Sequence, residues 1–320
     1  ENNIWSPRIG LAFPVTDKTV FHAQYGKYVQ QPELNRLFIS YTRFLSNLEQ
    51  GNFTISANPE LKPVKTTAYE IGFKQLISNN ISIDATVFYK QMTDYIQIRN
   101  VSANPTGYAL YVNGDYATVK GLSLSIHTKR INRFMVDANY TLQYAGGTGS
   151  NSTRQYTIAW LGGNFPTFVS PLEFDQRHTG NLSVDYRIGN EGLIFLRNTG
   201  LNLLFRFGSG QRYTPSKPRS EVFGGSLSYQ PTAGLNAGVM PWTYMVDLKL
   251  DKKITIADKS AIVFLWIENV LDNTVVNSVY NSTGLPDSDG YLNTSGGDAW
   301  LETAVGGPEF GKELYGSRIS

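Results

Sequence analysis

Few residue types in these 320 positions could carry covalent chemistry, and their spacing limits each reading. The three histidines, His22, His127 and His178, fall in three separate segments. A zinc site would need them to converge on one point with further ligands. There is no cysteine, which excludes thiolate-bound metals, iron–sulfur clusters and disulfides. Asp175 and His178 stand in Asp175-Gln-Arg-His-Thr179 with many serines in the chain. A nucleophilic triad needs a serine against the histidine and an acid behind it, and nothing in this spacing demands that. Asp287-Ser-Asp-Gly290 starts like a calcium loop but lacks the third acidic position and the distal Glu, so it reads as a polar turn. Ser209-Gly-Gln-Arg-Tyr213 is followed by no helix and no Lys-Ser/Thr pair, so it is not a phosphate loop. The expectation is no catalytic residue, no metal and no cofactor.

Recognition chemistry is better represented. Tyr41, Arg43, Phe44, Arg154, Tyr156, Trp160, Arg212 and Tyr213 all lie in long polar connections. Arg and aromatic residues on exposed loops serve ligand contacts, and also interface anchoring or loop packing. Arg43, Tyr41, Tyr156, Trp160, Arg212 and Tyr213 are the candidate substrate-binding residues.

The elements that must hold these loops alternate with period two. Tyr69, Ile71 and Phe73 oppose Glu70, Gly72 and Lys74; Ile81, Ile83, Ala85, Val87 and Tyr89 oppose Ser82, Asp84, Thr86, Phe88 and Lys90; Phe134, Val136, Ala138, Tyr140 and Leu142 oppose Asp137, Asn139, Thr141 and Gln143. Such alternation means long strands with one apolar face. Seven more segments read alike: Trp5–Pro14, Val20–Tyr28, Thr118–His127, Arg177–Arg187, Leu201–Gly208, Trp242–Lys253 and Ala261–Leu271. That gives ten strands. No segment of that length has a helical period, although Gly297–Ala304 could form a short helix.

Composition narrows the class. Lys plus Arg is 28 and Asp plus Glu 26, a net charge of +2. That excludes a nucleic-acid binder driven by bulk charge. Charged residues are 17%, below the roughly 25% of a soluble domain. The longest apolar run is Ala261–Ile267, far short of the ~20 residues of a spanning helix, and the residues from Glu1 lack the charged and apolar regions expected of a signal peptide. Connections alternate short (Val15–Thr19, Ile77–Asn80, Thr128–Arg133, Ile254–Ser260) and long (Val29–Lys65, Asn100–Ala117, Ala145–Gln176, Ser209–Met240, Asp272–Ser320), with a medium one at Ile188–Gly200. Tight turns on one rim and long loops on the other are the pattern of an outer-membrane up-and-down antiparallel β-barrel. Ile71, Ile83, Leu124, Val136 and Leu248 should then face lipid, and Glu70, Asp84, Ser123, Asp137 and Asp247 the lumen.

Several stretches resemble one family. Ser56-Ala-Asn-Pro-Glu-Leu-Lys-Pro-Val-Lys-Thr-Thr-Ala-Tyr-Glu-Ile-Gly-Phe-Lys74 is similar to the segment that leads from an external loop into a descending strand in TonB-dependent outer-membrane receptors. Asp175–Thr179, Asn139-Tyr-Thr141 and Ile267-Glu-Asn-Val-Leu-Asp272 resemble the same family. Asn202–Thr214 and Asp287–Leu292 look like its Bacteroidetes-type variant. The resemblance implies a 22-stranded barrel with a plugged lumen, of which this chain would be the C-terminal portion, residues 1–320. The plug domain, the first barrel half and the final strand would lie outside it. The implied function is TonB-energised uptake of a scarce nutrient: a ferric siderophore, haem, cobalamin, or an oligosaccharide or peptide. The implied partners are the TonB complex, reached through the absent N-terminal region, outer-membrane lipid and lipopolysaccharide, and a small nutrient ligand. The implied location is the outer membrane of a Gram-negative bacterium. A passive outer-membrane porin and an outer-membrane β-barrel enzyme are the alternatives.

Overall fold

The computed structural model describes residues 4–49, 55–102, 104, 107–150, 168–190, 193–218, 230–256 and 259–319. The strands are β1 (Arg8–Thr16), β2 (Thr19–Gln30), β3 (Val64–Ser78), β4 (Ile81–Val101), β5 (Tyr108–Thr128), β6 (Phe134–Gly147), β7 (Ser170–Pro171), β8 (His178–Arg187), β9 (Thr199–Gly208), β10 (Arg212–Tyr213), β11 (Gly238–Val239), β12 (Thr243–Ile256) and β13 (Lys259–Ile267). Ten of them pair in the order β1-β2-β3-β4-β5-β6-β8-β9-β12-β13, β7 lies beside β6, and β10 pairs with β11. The sheet is open, with β1 and β13 at its ends. These ten strands are the ten periodic segments. The chain divides into two compact units, one of Glu1–Gln75, Asp84–Ser123 and Gln143–Phe174, the other of Leu76–Ile83, Leu124–Leu142 and Asp175–Ser320.

In the first unit, strand register builds rows of like side chains. Leu11 pairs with Ala23 and Ala23 with Ile71; Phe13, Phe21 and Phe73 form the next row. Phe13 and Phe21 pack with tilted rings at 5.2 Å, and Phe21 and Phe73 edge to face at 5.1 Å. On the other side of the Ala23–Ile71 row, Tyr25 meets Tyr69 at 5.3 Å and Tyr69 meets Tyr89 at 6.4 Å. The opposite face is polar. Glu70 pairs with Gln24 and reaches Lys90 at 3.6 Å. His22 bonds Thr86, which donates to Asp84.

The second unit repeats the arrangement. Val136, Val184, Leu203, Leu248 and Ile267 are successive register partners, as are Ala138, Leu182, Phe205 and Val246. Asp137, Ser183, Leu204 and Asp247 lie on the other face in register. Within each unit the residues expected towards lipid (Ile71; Val136 and Leu248) and those expected towards the lumen (Glu70; Asp137 and Asp247) therefore fall on opposite faces of their strands. The apolar face is half exposed: Ile71 54% and Val87 59%. In water such a surface would be costly at about 25 cal/mol per Å², and in lipid it is the matched one.

Three expectations fail, each for a physical reason. First, β4 and β5 run for 21 residues each, well past Lys90 and well before Thr118, so most of Asn100–Ala117 is strand and not loop. Asp94 has φ 60, and one left-handed residue breaks the alternation as a bulge does, which hid the continuation. Second, the connection after β2 holds two helices, Leu34–Leu37 and Tyr41–Glu49. Third, the last strand does not run on to Leu271. β13 stops at Ile267 because Asn269 (φ 50) and Asp272 (φ 51) turn the chain away. Beyond it lie helices Ser295–Thr303, as expected, and Pro308–Ile319, which the Gly and Pro content obscured. Pro308 occupies the first helical position, where its missing N–H is harmless.

The two helices are tied to the Asp287–Gly290 turn. Tyr315 donates to Asp289 Oδ2 at 2.6 Å and stacks on Tyr291 at 5.4 Å. Gly290 adopts φ +77, where a side chain would be strained. Burial first, and the Asp289 carboxylate second, push the Tyr315 phenol above its ordinary value. A raised value means that the bond is intact below pH ~10 and is lost only as pH climbs through the raised value. Tyr315→Phe should destabilise this helical segment by about 1–2 kcal/mol, read as faster proteolysis there with the strands still protected. Unchanged protection would refute the anchoring role.

Candidate functional site

A membrane-crossing strand needs about ten residues, and β4 and β5 have 21 each. The excess carries a platform of its own. Segment 55–63 runs back along it. Ser56 bridges Leu110 in parallel, with Ser56 N donating to Ala109 O and Tyr111 N to Ser56 O. Asn58 fastens this run: its side chain donates to Tyr111 O at 2.8 Å and accepts from Glu60 N. Asn113 does the same from the strand, donating to Lys62 O and Asp94 O and accepting from Lys62 N. Beneath them Ile98 and Ala109 are buried, with Ile55 and Tyr111 packed on top. The Arg36 guanidinium lies over the Tyr111 ring at 5.7 Å and bonds Glu33. Asn35, Phe38, Ile39, Ser40, Ile55 and Tyr111 enclose a cleft of about 420 Å³. It is lined by apolar and aromatic groups together with Asn35 and Ser40, which suits a largely apolar or aromatic moiety.

Of the six candidate binding residues, Tyr41 is 75% exposed at the start of helix Tyr41–Glu49, next to Ser40 of the cleft. Arg43 lies in the same helix. Tyr156 and Trp160, like Arg154, lie outside the described residues. Arg212 and Tyr213 form β10 in the second unit. Arg212 Nε donates to Asp175 Oδ2 at 3.0 Å, with both side chains buried. Tyr213 packs against Gly284 and Gly238, leaving no room for a Cβ there. The structure leaves Tyr41 exposed beside the cleft residue Ser40 and ties Arg212 to a carboxylate. The cleft residues Phe38, Ile55 and Tyr111 were not singled out from the sequence, where they fall in apparent loops far apart in the chain. The Asn58-Pro59 pair next to them was visible.

The Asp175–Thr179 run is a clamp. Besides the Asp175–Arg212 pair, Gln176 donates to Ser209 O, His178 N donates to Ser209 Oγ, and Ser209 N donates to His178 O. His178 Nδ1 bonds the Tyr140 hydroxyl at 2.8 Å and its ring stacks on Trp242 at 5.4 Å. Ser209 therefore accepts from the backbone of His178, and no nucleophile–base–acid relay is formed. Ile267–Asp272 is a second clamp: Asn269 N donates to Asp247 Oδ1, Asn269 and Asn273 exchange bonds, and Asn273 reaches Tyr244 O. Among the described residues no group of three or more His, Asp or Glu is placed to hold a metal ion.

The polar face of the second unit carries charges in chains. Arg130 and Arg187 share Asp185, Arg187 also bridges to Asp251, and Arg206 pairs with Asp247 at 2.5 Å. Asn139, Asn181 and Arg206 are register neighbours, as are Thr141 and Thr179. This wall is wet and balanced in charge, in keeping with an aqueous lumen.

Residues 1–270 match the family described as TonB dependent receptor-like, beta-barrel. The chain belongs to the TonB-dependent receptor family. Receptors of this family are transporters of the Gram-negative outer membrane, not enzymes. The fold is shared with the ferripyoverdine receptor of the Pseudomonas aeruginosa outer membrane, solved with ferripyoverdine bound (TM-score 0.56, 16% identity, 85% of this chain and 30% of that one). It is also shared with the ferric-catecholate import receptor Fiu from E. coli K12 (0.55, 17%, 86% and 32%) and the FrpB iron transporter from Neisseria meningitidis (0.53, 13%, 84% and 35%). No curated protein sequence is similar enough to match. The chain spans about a third of the length of those TonB-dependent receptors.

Proposed function

We propose that this chain supplies part of the wall and external mouth of a receptor that takes up a scarce nutrient across the outer membrane, driven by TonB. In this reading residues 1–320 are the C-terminal portion of the barrel, and plug, first half and final strand belong to the rest of the protein. TonB would act through that N-terminal region. The observation that carries the proposal is the projection of β4 and β5 with the cleft at Phe38, Ile55 and Tyr111. A passive pore has no use for an anchored apolar cleft above its mouth, whereas a receptor must bind before it transports. The cleft's apolar and aromatic lining favours a ligand with an aromatic or apolar part, such as a ferric catecholate siderophore, over a bare acidic chelate. The named receptors of the same fold carry ferripyoverdine, ferric catecholates and iron, which supports an iron chelate as cargo.

The test is uptake of iron-55 as a ferric catecholate by cells that make the full-length receptor. Tyr111→Ala removes an aromatic wall of the cleft and should weaken binding at least tenfold, the size of a moderate hot spot. Surface amounts of receptor should stay unchanged. Uptake that survives collapse of the proton gradient would point to passive diffusion instead. Uptake indifferent to both Tyr111→Ala and Phe38→Ala would remove the cleft from the pathway.

A further inference from the structure

The lumen positions of the second unit change character at its last strand. On β8 they are Asn181, Ser183 and Asp185; on β9 Asn202 and Arg206 flank Leu204; on β12 they are Asp247, Lys249 and Asp251. The register carries the same face to β13, where Trp266 pairs with Lys249, Phe264 with Asp251 and Ile262 with Lys253. Ile262, Phe264 and Trp266 are 65, 61 and 58% exposed. Two residues along a strand advance ~6.6 Å, so the three side chains make an apolar strip ~13 Å long. It starts close to the tight connection between β12 and β13, in the half of the wall nearer the short-turn rim. Val263, Leu265 and Ile267 lie on the opposite face and already supply the lipid side of this strand. Rings on the wet side add nothing to that, and exposed apolar groups of this size mark contact with a partner.

Charge identifies the partner. Asp251 is answered by Arg187 at 3.1 Å. Lys249 and Lys253 are exposed and have no carboxylate partner among the described residues. Lys249 Nζ lies over the Phe264 ring at 5.2 Å. Cations held against exposed rings suit a ligand that is aromatic and negatively charged at once, whereas the apolar face of a neighbouring domain would use the rings alone. We infer that Ile262, Phe264 and Trp266, with Lys249 and Lys253, form a transit station that receives an aromatic, anionic cargo inside the lumen. The inference rests on the uptake reading above and adds a second contact point for the same chemical class; it is independent of the cleft at Tyr111. The rings stack on the aromatic part of the cargo, and the lysines replace water around its charge. A station on a path must hold its cargo weakly enough to release it, so its loss shows in the rate of uptake and not in affinity at the mouth.

The experiment uses cells that make the full-length receptor, with surface amount and the heat-modifiable mobility of a closed barrel checked for every variant. Binding of iron-55 ferric catecholate is measured in de-energised cells and its initial uptake rate in energised ones. A cation–aromatic contact is worth about fivefold. Trp266→Ala with Lys249→Gln should therefore slow uptake roughly tenfold while the dissociation constant at the surface stays within about twofold. Trp266→Phe with Lys249→Arg keeps a ring and a charge and should retain most of the rate. Lys249→Gln with Lys253→Gln, which leaves the rings in place, should slow the anionic chelate and spare an uncharged aromatic chelate. An unchanged rate in Trp266→Ala with Lys249→Gln would overturn the station. So would a slower rate accompanied by new sensitivity to vancomycin, since a leaky barrel would show that the strip packs the domain filling the lumen. A parent receptor that takes up no ferric catecholate would overturn the nutrient reading and the station with it, whereas a working parent with indifferent variants would overturn the station alone.

Discussion

Asp175→Ala is expected to lower the unfolding free energy by about 3–5 kcal/mol, the usual consequence of leaving one partner of a buried ion pair alone. Asp175 is 2% exposed and the Arg212 side chain 8%. With the carboxylate gone, the guanidinium of Arg212 stays where β10 puts it, out of water and facing no charge. Arg177 also reaches Asp175, at 3.5 Å, but is better solvated and can turn outward. Urea unfolding of the full-length receptor in micelles, followed by tryptophan fluorescence, reads the loss. The companion variant, Asp175→Ala with Arg212→Met, removes both charges and should recover most of it, since replacing a whole buried pair by apolar groups is often neutral. If the double variant is as unstable as the single one, Asp175 acts through something other than this pair. The same clamp holds Ser209 to His178, so the loop from Gly208 to Tyr213 should become protease-sensitive in Asp175→Ala.

Ile71→Arg should cost about 2–4 kcal/mol, the penalty of an arginine at mid-depth on a lipid-facing strand. Ile71 lies between the phenylalanine row and the tyrosine row, with Ala23 beside it. Gln24→Arg, one residue from Ala23 and on the polar face near Glu70, should cost well under half as much. The readout is the midpoint of reversible unfolding in lipid bilayers. Equal penalties at the two positions would mean that the faces are not the lipid and lumen sides, because a one-residue shift of register exchanges them.

The strands and their faces were legible because a sheet with one apolar and one polar side writes its period into the chain. Val136, Leu203 and Leu248 recur every second residue within their strands, and the structure aligns them into one row. The alternation of short and long connections placed the loops on one rim without knowledge of any contact. The Asp175 and Asn269 runs were visible as patterns. Their work as clamps was not, since it depends on Ser209 and Asp247, tens of residues away. The last strand shows the limit from the other side: Ile262, Phe264 and Trp266 are apolar on both neighbouring readings of the period, and only pairing with Lys253, Asp251 and Lys249 assigns their face.

The cleft at Phe38, Ile55 and Tyr111 was beyond sequence reasoning for the same physical cause. Phe38, Ile55 and Tyr111 are far apart in the chain and follow no shared period. What joins them is the extension of β4 and β5 past the bulge at Asp94 and the return of segment 55–63 along it. Local alternation decides which residues meet lipid, because that choice is made strand by strand. Which residues meet a ligand is decided by register and loop return across the sheet, and those exist only once the chain has folded.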